Sequence, residues 1–181
     1  MSKNHRWWAL AAVPVVGLIF FSAQQTGALW SDTENLSGGT ITAGTLDIGV
    51  GAGGTTSSAY TLSNFGKTGL LEGGFSQTPL TVKNSGNVPM RYRLSGVTQS
   101  NAILPLTLDV WRVANEAACS ATGTPAGTSL YSGNMNGANI AAWQTVQPNA
   151  TDVLCLRGTV ATGAGPGVKS TTQFKFDASQ V

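Results

Sequence analysis

A chain of 181 residues with ten Lys plus Arg, eight Asp plus Glu and one histidine is long enough for one domain and sparse in charge. Lys3 and Arg6 hold the whole formal excess of +2, so the sequence from residue 29 onward is formally neutral. That removes the electrostatic basis for nucleic-acid binding and for attraction to anionic membranes, while near-neutral proteins associate readily.

Lys3 and Arg6 open the chain as a short positive region, and Trp7 to Phe21 follows as a charge-free apolar run of 15 residues. Thr26-Gly27-Ala28 then places small residues where a signal peptidase cuts. Cleavage is expected between Ala28 and Leu29, within about two residues. A retained membrane anchor is the alternative, since no charge appears from Trp7 to Asp32. Against it, the apolar part falls short of the roughly 20 residues a span requires, and Pro14 and Gly17 interrupt it. Residues 1–28 therefore read as a signal helix that touches the membrane only in transit. Residues 29–181 read as one secreted domain.

In that domain apolar residues alternate over short runs separated by Gly, Asn and Pro, the period-two pattern of strands. Expected strands are Thr40 to Val50, Ala59 to Leu62, Pro79 to Asn84, Met90 to Val97, Leu106 to Val113, Leu130 to Ser132, Trp143 to Val146, Val153 to Val160 and Thr171 to Asp177. Met90, Tyr92 and Leu94 share one face while Arg91 and Arg93 share the other, a solvated one. Phe174 and Phe176 repeat the pattern around Lys175. The expectation is an all-β fold: a single antiparallel β-sandwich, jelly-roll-like, following the signal helix.

Gly49 to Ser58, Ala114 to Gly127 and Thr159 to Gly167 read as loops, the first and last flexible by their glycine content. Cys119 and Cys155 are the only cysteines, and an even pair in an exported chain reads first as a disulfide, with two free thiols as the alternative. A bridge closes a loop of about 36 residues and contributes roughly 4 kcal/mol on the chain-entropy account. No CxxC spacing points to redox chemistry.

Other motifs lose their chemistry on inspection. Gly49 to Gly54 satisfies GxGxxG, but Thr55 to Tyr60 is too β-branched and Ser-rich to supply the helix N-terminus that holds a pyrophosphate. Leu104-Pro105-Leu106-Thr107 starts like a sortase motif, yet Leu108 stands where glycine is needed. The only histidine, His5, lies in the signal, which leaves no imidazole for a zinc peptidase or for a Ser-His or Cys-His nucleophile. Asp32, Glu34, Asp47, Glu72, Asp109, Glu116, Asp152 and Asp177 are scattered singly, without the spacing of a metal site or a glycosidase pair. Calcium binding at Asp32 and Glu34 competes with the plainer reading of a solvated N-terminal segment. No cofactor is expected.

Leu29-Trp30-Ser31-Asp32-Thr33 directly after the cut, Thr42-Ala43-Gly44-Thr45-Leu46-Asp47-Ile48, Leu62-Ser63-Asn64-Phe65 and Val82-Lys83-Asn84-Ser85-Gly86-Asn87-Val88-Pro89 occur in that order. Together with the signal they resemble the TasA and camelysin family over residues 1 to about 97. Beyond that, the likeness is to small secreted β-domains ending in a Phe-x-Phe strand, here Phe174-Lys175-Phe176. The chain departs from the family at Leu71-Glu72-Gly73-Gly74, where Pro-Gly-Asp is common, and it is shorter and far less charged than the fibre-forming relatives. The resemblance implies processing by a SipW-type signal peptidase. It further implies extracellular biofilm-matrix fibres built by strand exchange between copies or with related matrix subunits.

The residues agree with donation. Leu29 and Trp30 put a large apolar pair at a free chain end, and Ile41, Leu46 and Ile48 alternate along an extended segment able to add to a neighbour's sheet edge. Residues 29–50 are thus the expected self-assembly segment, with Trp30 folding back onto its own domain as the alternative. A monomeric surface adhesin or accessory protein, with Trp111 or Trp143 on a binding face, is the second functional expectation. A camelysin-like metallopeptidase, the third, is opposed by the missing histidines. The protein is expected to be non-enzymatic and secreted or on the cell surface, and the Ala, Gly and Thr bias with little Lys suits a high-GC Gram-positive bacterium.

Overall fold

The computed structural model describes residues 44–181. The expected signal helix, the expected cleavage point at Ala28 and Leu29, and Trp30, Asp32, Glu34 and Ile41 lie outside these residues. Nine strands follow in chain order: β1 Ile48–Ala52, β2 Thr55–Ser57, β3 Phe75–Asn84, β4 Met90–Gln99, β5 Leu106–Val113, β6 Gly127–Asn134, β7 Gln144–Val146, β8 Thr151–Val160 and β9 Thr172–Gln180. They form a six-stranded sheet in the order β2-β1-β3-β8-β5-β6 and a three-stranded sheet in the order β7-β4-β9. Every pairing is antiparallel. From β3 to β5, and again from β6 to β9, successive strands alternate between the sheets, giving the expected sandwich.

Alternation fills the space between them. Leu80, Val82, Leu108, Val110, Leu154 and Leu156 of the large sheet meet Met90, Tyr92, Leu94 and Val97 of the small one. Met135, Ala138 and Ile140, from the connection between β6 and β7, close the core at that side. Pro79 is tolerated in β3 because β1 pairs only with Thr81 to Asn84, leaving Pro79 with β8 as its sole neighbour.

Two expectations are corrected. The glycine-rich stretch from Gly49 to Ser58 is a hairpin, not a flexible linker: β1 continues to Ala52 and turns through Gly53 and Gly54, whose φ values of 62° and 82° suit a two-residue turn matching strand twist. The Glu116 carboxylate fixes it, accepting from the Gly53 N–H at 3.1 Å and from the Thr81 hydroxyl. Ala59 to Leu62 is not a strand. It leads into a 3₁₀ turn at Ser63–Phe65, and Leu62 and Phe65 reach the core as side chains without joining a ladder.

Candidate functional site

The cysteine pair is joined. Cys119 and Cys155 form a disulfide with their Cα atoms 5.3 Å apart, bringing the connection between β5 and β6 onto the outer face of the large sheet. Val113, Cys119, Val153 and Cys155 make a second small core there, flanked by Trp111 and Ala118. The Arg157 guanidinium lies 4.5 Å from the Phe75 ring centre and 5.2 Å from that of Trp111. It also donates to Gln77 Oε1 at 2.6 Å and to the Gly123 carbonyl. Trp111 is thus partly buried, stacked against the Arg157 guanidinium.

Trp143 is different. It sits on the solvent side of the small sheet with the guanidinium carbons of Arg91 and Arg93 at 5.0 and 4.6 Å from its ring centre. Arg91 donates to Ser179 Oγ at 2.9 Å, and Arg93 pairs with Asp177 at 3.5 Å. A recess of about 350 Å³ at one end of the molecule is lined by Thr98, Ser100, Thr171, Thr172 and Gln173, none of which titrates at ordinary pH. Among the described residues, no three His, Cys, Asp or Glu side chains converge as a metal site would require.

The segment expected to donate is divided by the structure. Ile48 belongs to β1, half-buried against the core and paired in register with Asn84. Residues 44–47 are not the strand expected from Thr40 onward, because the turn after β3 takes their hydrogen bonds. The Thr45 N–H donates to Asn87 Oδ1 at 2.6 Å, and the Asp47 and Thr45 carbonyls accept from the Ser85 and Asn87 N–H groups at 2.9 and 3.1 Å. Gly86 permits this approach, since a Cβ there would stand 2.1 Å from the Thr45 carbonyl oxygen. Leu46 is left 37% exposed.

Sheet edges decide where another strand can add. β2 and β7 have three residues each. β6 has eight, but its register against β5 slips between Val110 and Trp111, which makes Leu130 an extra residue and breaks the edge with a bulge. β9 has nine residues. The irregularity in its pairing falls on β4, where Ser95 is the extra residue, so β9 itself runs unbroken. Among the described residues nothing pairs with its outer side.

Phe174, Phe176 and Ala178 of β9, Ile48 and Val50 of β1, and Leu62 and Phe65 of the connection after β2 are only partly buried. Phe65 meets Phe174 edge-on at 5.6 Å. Phe174, Phe176 and Ala178 thus put partly buried apolar side chains along a strand whose outer side is unpaired among the described residues. Sequence reasoning saw the half-burial of Phe174 and Phe176 but not the open edge, which depends on strand order.

Fold and site define an antiparallel β-sandwich whose small sheet ends, among the described residues, in a long and continuous unpaired edge. Compared with protein-family models and with curated proteins, the chain finds no match in either.

Proposed function

We propose that the protein is a secreted structural subunit of an extracellular matrix, of the TasA-like kind. After signal cleavage, residues 29–43 of one copy add as a strand to the β9 edge of another. The supporting observation is that edge: nine residues long, unbroken, unpaired on its outer side among the described residues, and carrying the partly buried Phe174, Phe176 and Ala178. An added strand would satisfy the free backbone groups of β9 and cover Phe174, Phe176 and Ala178. Residues 48–50 are engaged in their own sheet, which confines donation to the chain before Gly44. In this reading a SipW-type peptidase supplies the switch by freeing Leu29, and the protein is not an enzyme.

Negative-stain electron microscopy of protein beginning at Leu29, beside protein beginning at Thr45, tests this. Filaments in the first and isolated particles in the second are expected. Monomers in both would favour the second reading, a monomeric surface adhesin. Its specific support is the pair of arginines around the exposed Trp143.

A further inference from the structure

The sandwich has two unlike poles. At one, β1 begins, β9 ends, and Gly44 lies beside Gln180, whose Nε2 donates to its carbonyl. The chain before Gly44 therefore leaves the described domain at the Gln180 end of β9. At the opposite pole three connections meet. Gly73 and Gly74 exchange hydrogen bonds with Val160, the Ala161 N–H donates to the Pro105 carbonyl, and Ser100 and Asn101 bond to Thr171 and Ser170. Each of the three connections carries an aliphatic side chain into water there: Leu71 is 82% exposed, Ile103 89% and Val168 40%. The Gly44 pole carries its own exposed pair, Leu46 and Val181.

Strand polarity says how copies must meet. Laid back along β9 of its own domain, the chain before Gly44 would run parallel to β9, whereas every pair in both sheets is antiparallel. If the Gly44 pole of one copy instead stands on the three-loop pole of the next, the segment enters at the Thr172 end and runs antiparallel to β9. Residues 29–43 extended span about 50 Å, against about 30 Å for a nine-residue strand, enough to cross the joint and line the edge.

We infer that the three-loop pole is a docking surface for the Gly44 pole of a second copy, with Leu71, Ile103 and Val168 covered by a face that includes Leu46 and Val181. The inference rests on the self-assembly reading and adds to it a contact that the donated strand does not supply. Such a contact is heterologous and head-to-tail, so it propagates.

The test uses chain beginning at Leu29 with Leu71→Asp and Ile103→Asp together, positions so exposed that circular dichroism and the melting temperature should hold. Charges in an apolar contact are expected to raise the concentration needed for assembly at least about tenfold. The variant keeps its donor segment and its Gly44 pole, so added to wild type it should cap filaments at one end and shorten them. Assembly of the variant at the wild-type concentration would overturn the pole contact and leave strand donation standing. Wild-type protein that stays monomeric would overturn both. Unchanged assembly with loss of binding to phosphatidylglycerol vesicles would assign the loop tips to a lipid surface instead, and equally overturn the inference.

Discussion

Asp152 is 6% exposed at the Gly44 pole of β8, where its two oxygens take the Tyr92 hydroxyl and the Arg112 Nε, each at 2.7 Å. Tyr92 comes from the small sheet and Asp152 from the large one, so this hydrogen bond ties the layers together within the core. Burial, reinforced by the neighbouring carboxylate, pushes the Tyr92 phenol well above its ordinary value of 10.0. In the unfolded chain the same phenol titrates at about 10, so above that pH the unfolded state holds fewer protons than the folded one. Stability is therefore expected to fall as pH rises past about 10, and Tyr92→Phe should flatten that fall in urea titrations. The same change leaves Asp152 Oδ2 without its partner and should cost about 1–3 kcal/mol at neutral pH. Cys155→Ser should cost roughly 2–5 kcal/mol by denaturant unfolding, and unchanged stability under reductant would contradict the stabilising role given to the bridge. Trace-metal analysis of the purified mature protein is expected to find no stoichiometric zinc.

At the scale of elements, β9 pairs with β4 on one side and, among the described residues, with nothing on the other. Ala178→Lys places a charge on its inward face, a device by which natural sheets keep edges from pairing. It is expected to suppress filaments while β9 stays paired with β4, checked by electron microscopy beside circular dichroism. Leu106–Val113 was fully legible in the sequence because Leu108 and Val110 alternate inward over a run without glycine or proline. The β1–β2 hairpin is not legible in the sequence, because its glycine density also fits a flexible loop. Gly53 and Gly54 instead provide the positive φ of a tight turn, and the clamp from Glu116 lies 63 residues away. Thr40 to Val50 was read as one strand from its own alternation, whereas its middle is committed to the Ser85 and Asn87 amides.

For the whole molecule, period-two patterning was enough to specify two antiparallel layers, and the cysteine count was enough to indicate a bridge. Strand order was not legible, since alternation tells which side chains turn inward and not which strand lies outermost. The edge of β9, unpaired among the described residues, and the opposition of the two poles follow from that order, and these carry the functional account. The most direct measurement is amide hydrogen exchange over Thr172 to Gln180 in assembled protein beginning at Leu29, against protein beginning at Thr45. Strand donation predicts that the outward-facing amides of β9, fast in the shortened protein, become protected on assembly. Fast exchange of those amides within filaments would contradict it, and would move the contact between copies to another surface.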